Sequence, residues 1–108
     1  MPFNALSELA VFLRGFAAER GWEQFHSPKN LAMALNVEAA ELSEHFQWLT
    51  EQQSLKLDEK QREAVALEMA DVLIYLVRMA DRLGIDLMDA ARRKVVLNTE
   101  KYPAERRP

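Results

Sequence analysis

Between Ala64 and Val77 every residue is apolar or aromatic except Glu68 and Asp71. The run contains no Gly or Pro and is too long for an ordinary strand, so it reads as a helix that is apolar on all sides. Such a helix is stable only when covered all round. A chain of 108 residues has room for one core. Residues 1–108 therefore read as a single domain, in which a few short helices leave part of this one facing water. The pattern predicts a homo-oligomer, dimer or tetramer, whose contacts cover the remainder.

Three further helices follow from spacing and capping residues. Leu6, Leu9, Ala10, Leu13 and Phe16 or Ala17 recur at helical intervals, which predicts a first helix from Phe3 to about Arg20, stopped near Gly21. Ser27 followed by Pro28 supplies an N-cap and a first-turn proline for a second helix from about Lys29 to Leu49. The polar segment Thr50 to Leu57 reads as a loop. Asp58 caps the apolar third helix, which reaches Leu83 with Gly84 as its stop, and Asp86 caps a fourth from about Leu87 to Lys101, ended by Pro103. The tail from Ala104 to Pro108 is expected to fray. No segment shows the two-residue alternation of a strand. The expected fold is all-α, an antiparallel four-helix bundle.

Composition narrows the function. A formal net charge of -3 argues against a partner that is a nucleic-acid polymer, because binding a phosphate backbone runs on surplus Lys and Arg. The absence of cysteine excludes thiolate metal sites and thiol nucleophiles. The N-terminus lacks a signal-peptide pattern, and Ala64 to Val77 falls short of the ~20 apolar residues a bilayer span needs. The expected location is cytoplasmic, with no membrane segment.

The two acids inside the apolar run have counterparts. Glu38 and Glu41 stand three residues apart on the second helix, as Glu68 and Asp71 do on the third, so each pair shares a face. Burying carboxylates together is costly unless something cationic joins them. Neither the stretch from Leu31 to Leu49 nor that from Ala64 to Val77 contains a Lys or Arg. A bound metal meets the need, and a donor set made only of oxygen favours Mg²⁺, with Mn²⁺ next, over Zn²⁺. Solvated faces with local ion pairs are the competing reading. A di-iron centre requires Glu-x-x-His on two helices, and His26 and His45 do not supply it.

These residues resemble the MazG-like all-alpha nucleoside triphosphate pyrophosphohydrolases, and within them the dCTP pyrophosphatase branch. The resemblance rests on four ordered blocks: W-E-Q-F-H-S-P-K-N at Trp22 to Asn30, E-A-A-E-L-S-E-H-F-Q-W at Glu38 to Trp48, E-M-A-D-V-L-I-Y-L at Glu68 to Leu76, and K-V-V-L-N-T-E-K-Y-P at Lys94 to Pro103. It implies Mg²⁺-dependent cleavage of a nucleoside triphosphate to the monophosphate and pyrophosphate. Glu38, Glu41, Glu68 and Asp71 are then the catalytic metal ligands. Many members open the first acidic motif with two adjacent glutamates, whereas Val37 stands at the first of those positions here. Water activation then falls to a carboxylate of the quartet or to a metal-bound hydroxide.

The same resemblance implies a base pocket drawn from Trp22, His26, Asn30 and Trp48, aromatic faces being good stacking surfaces. Ordinary packing of both tryptophans is the alternative. For the phosphates it points to Lys94, Asn98, Lys101 and Tyr102, while Tyr75, one turn beyond Asp71, is expected either to orient a phosphate or simply to pack. A basic helix end favoured by the macrodipole accounts for Arg92, Arg93, Arg106 and Arg107 equally well. The expected substrate is dCTP or a related pyrimidine deoxynucleotide, removed from the nucleotide pool. Other or modified triphosphates such as dUTP, or a non-catalytic helical interaction module, are the rival readings.

Overall fold

The computed structural model describes residues 3–104, so the tail 105–108, with Arg106 and Arg107, lies outside the described residues. Where a capping residue stands in the sequence, a helix begins. The Ser27 side chain accepts from the amide of Asn30 and Pro28 occupies the first turn, opening α2 (Pro28–Glu44). Asp58 and Gln61 cap one another's backbone amides and open α4 (Glu59–Leu83), the long apolar helix. It ends at Gly84, whose φ of 66° lies in the left-handed region that glycine adopts without strain. Asp86 caps α5 (Leu87–Lys101) through the amide of Asp89. α1 (Leu6–Glu19) starts later than expected, since Ala5 offers no side-chain cap.

Two expectations need correction. The second helix stops at Glu44 instead of Leu49, because the next amides reach back three residues: His45 to Leu42 at 3.3 Å, Phe46 to Ser43 at 3.0 Å and Leu49 to Phe46 at 2.9 Å. These tight turns keep Phe46 and Leu49 half-buried beyond the end of the helix. The expected loop from Thr50 to Leu57 holds a single helical turn, α3 (Glu51–Ser54), closed by a capping box between Thr50 and Gln53. A short 3₁₀ turn, Glu23–Phe25, follows Gly21.

α4 is the axis of the chain, with α2 packed along it and α1 against it. The core comes from Leu9 and Ala17 of α1, Leu31 of α2, and Val65, Val77 and Ala80 of α4. α5 contributes no buried residue and touches the rest only sparsely. One chain therefore does not enclose the expected four-helix bundle. Its radius of gyration is 17.2 Å, with extents of 56 × 37 × 28 Å; a compact chain of this length has about 13 Å. Leu67, Met69 and Leu73 of α4 and Val95, Val96 and Leu97 of α5 remain exposed. Among the described residues there is no strand, and no helix is long and apolar enough to cross a membrane.

Candidate metal and nucleotide site

The closest packing in the chain, α2 on α4, brings the two acidic pairs together. One carboxylate oxygen from each of Glu38, Glu41 and Glu68 falls within 4.8 Å of the others. Asp71 is outside this three-way group but near enough for its charge to act on Glu38. Glu38 Oε2 is buried with no hydrogen-bond partner. An ionised oxygen in that state is costly unless a cation joins it.

Protonation follows from the crowding. Shared hydrogen bonding with Glu41, then burial, then the Glu38 carboxylate push Glu68 up from 4.5 to about 7. Glu38 moves the same way, chiefly through burial and then through Glu41. A site of oxygen donors with surplus negative charge, one of them buried and unpartnered, fits a hard divalent cation. No Lys or Arg is ion-paired to the cluster among the described residues.

The raised pKa of Glu68 has a consequence for stability. With metal chelated, the folded chain keeps a proton up to about 7 that the unfolded chain has already lost above 4.5. The folded state then binds more protons, so its stability falls as pH rises through this window and levels off above it. Thermal melts in chelator should give a higher midpoint near pH 5 than near pH 8, and Glu68→Gln should flatten that slope. An unchanged slope in the variant would contradict the assignment.

Beside the acids, α1 and α4 enclose an aromatic cavity of about 330 Å³. Phe12, Phe16, Trp22, His26, Tyr75 and Asp71 are on its wall. Phe16 and Trp22 meet edge to face at 5.6 Å, and Trp22 lies 5.9 Å from the His26 ring. Asp71 thus adjoins both the acidic group and the cavity. Trp22 and His26, expected in one base pocket, both line this cavity; Tyr75, expected to orient a phosphate or to pack, lines it too, and Phe12 and Phe16 join them from α1.

Other expected residues are elsewhere. Trp48 is 86% exposed on the turns that follow Glu44 and does not line the cavity within one chain. The Asn30 side chain donates to the Phe25 carbonyl at 3.1 Å, which fixes the 3₁₀ turn to α2. Lys94, Asn98, Lys101 and Tyr102 are exposed on or just after α5 and are not gathered with the acids within one chain. Val37 is exposed on α2 and brings no carboxylate.

The MazG-like family model matches residues 33–107. dCTP pyrophosphatase 1 of Homo sapiens is 50% identical over 105 residues, covering 95% of this chain and 62% of that protein. The Mus musculus protein of the same name is 49% identical over 104 residues, covering 94% and 61%. The chain thus spans somewhat under two thirds of the length of these relatives. The crystal structure of a pyrophosphatase from Archaeoglobus fulgidus superposes with a TM-score of 0.86 at 39% identity, covering 96% of this chain and 97% of that one.

Proposed function

This chain belongs to the MazG-like family, and from that membership we propose that it is a Mg²⁺-dependent pyrophosphohydrolase cleaving dCTP, or a related pyrimidine deoxynucleotide, to the monophosphate and pyrophosphate. The observation that carries the proposal is the convergence of Glu38, Glu41 and Glu68 within 4.8 Å around a buried, unpartnered oxygen. In this reading Glu38, Glu41, Glu68 and Asp71 hold the cation. When bound, Mg²⁺ supplies charge neutralisation for phosphate oxygens and polarises water.

The residues of the chain do the rest. By fixing where the cation would sit, the four carboxylates would also set where the triphosphate lies, with its α-phosphorus open to water and pyrophosphate as the leaving group. Because Val37 has no carboxylate, that position cannot take the proton that water gives up. Trp22 and Tyr75 offer faces to the base, and the cavity excludes solvent from it. Lys94, Asn98, Lys101 and Tyr102 grip the far phosphates as donors. Since α5 stands off the core of its own chain, we place that grip in an assembled homo-oligomer, a dimer or tetramer, which also completes the helical bundle. A cytoplasmic enzyme that removes dCTP-like nucleotides from the pool fits this chemistry.

The test is a panel of nucleoside triphosphates assayed for phosphate release, with and without added inorganic pyrophosphatase. Release that needs both the coupling enzyme and Mg²⁺, fastest with dCTP, is expected. No metal-dependent release from any triphosphate would favour a helical interaction module instead.

A further inference from the structure

Arg78 is the one charged residue buried among the described residues, 3% exposed, and the hydrolysis proposed above gives it no task. It follows Asp71 and Tyr75 on α4 at helical spacing, so all three face the aromatic cavity. Its donors can be accounted for one by one. Nη1 donates to Asp81 Oδ2 at 3.1 Å, and the same carboxylate is held by Arg14 at 2.6 Å. That pairing offsets the cost of burying the guanidinium. Nε donates to Nδ1 of His26 at 3.2 Å. Nη2 is buried with no partner.

The Nε contact dictates the state of the imidazole. A guanidinium has donors only and keeps its proton at any ordinary pH, so Nδ1 must present its lone pair. A neutral ring with a bare Nδ1 carries its hydrogen on Nε2. Arg82 holds the same residue from behind, donating from Nε to the His26 carbonyl at 3.2 Å. Burial and then the charges of Arg78 and Arg82 lower the pKa of His26, which favours the neutral ring as well.

We infer that Arg78 is a positioning residue that locks His26 as the neutral Nε2–H tautomer, so that the aromatic cavity presents a donor to the hydrogen-bonding edge of the bound base. This rests on the nucleotide reading given above. With Nε2–H on the side of the ring away from Arg78, a carbonyl oxygen or unprotonated ring nitrogen is accepted there. An amino group at the same point would set donor against donor and be rejected.

The experiment is nitrogen-detected NMR of the imidazoles in the full chain, His26 being told from His45 by a His45→Gln variant, together with steady-state kinetics. At neutral pH the wild-type His26 should show a protonated Nε2 and a bare Nδ1, and Arg78→Met should yield mixed tautomers. In the same variant KM for the preferred nucleotide should rise about tenfold with kcat little changed, as loss of one aligned hydrogen bond implies. Arg78→Lys, which keeps a donor and a charge, should restore part of the tautomer bias and of KM. A wild-type ring protonated on Nδ1, or a tautomer and KM that Arg78→Met leaves unmoved, would overturn the inference. The wild-type spectrum decides the tautomer even if Arg78→Met does not fold. It also needs no turnover, so a chain that hydrolyses nothing would refute the reaction and not the role of Arg78.

Discussion

Replacing Glu68 by glutamine is expected to lower Mg²⁺-supported hydrolysis by more than about 100-fold, beyond what removal of a group merely supporting a metal ligand costs. Glutamine keeps the size of the side chain and a carbonyl oxygen, so helix α4 and its packing survive. It removes the charge that a divalent ion needs, and it leaves Glu38 and Glu41 with less repulsion to share. The same variant should therefore melt higher than the parent in chelator at neutral pH while gaining less from added Mg²⁺. Glu38→Gln and Asp71→Asn should lose activity in the same way. Circular dichroism establishes the helical fold, and turnover near the parent rate in any of these folded variants would refute the metal assignment.

A single charge on the exposed apolar surface should split the assembly. Val96 on α5 and Leu73 on α4 are both exposed within one chain, on helices that the chain itself leaves partly uncovered. Each such side chain is worth roughly 1.5–3 kcal/mol when buried. In a symmetric contact the substitution is felt once per copy, and a buried unpaired carboxylate adds its own cost. Val96→Glu or Leu73→Glu should thus convert an oligomer to a monomer at micromolar concentration, with lost activity as a consequence if α5 works on an assembled site. Sedimentation of the unmodified chain as a monomer would contradict this.

Much of this architecture is legible in the sequence because its signals are local. Ser27 with Pro28, Asp58 with Gln61, Gly84 and Asp86 each mark a helix end by a contact within three or four residues. The acidic pairs are legible for the same reason, since three residues of helix put two carboxylates side by side. What escapes a reading along the chain is non-local or depends on a subtle change of winding. The tight turns that end α2 early have no such local mark, and they leave Trp48, which the family resemblance assigns to the base pocket, exposed within one chain. The bond between Arg78 and His26 joins residues 52 apart in sequence. Phe12 and Phe16 carry only the periodicity of a core helix, and nothing local tells that they face a cavity shared with Asp71. The standing-off of α5 has no local mark either; its apolar residues look like any buried stripe until the neighbours are known.

The central claim, that the acids between α2 and α4 direct water to the α-phosphorus, is tested most directly by the first products formed from dCTP with Mg²⁺. Glu38, Glu41, Glu68 and Asp71 would hold the cation, whose charge would stabilise pyrophosphate as the group that leaves. Chromatography over a time course should show dCMP and pyrophosphate rising in equal amounts from the earliest points, with little dCDP throughout and no products in chelator. Early dCDP with free phosphate would contradict the account, even with a metal bound at Glu38, Glu41 and Glu68.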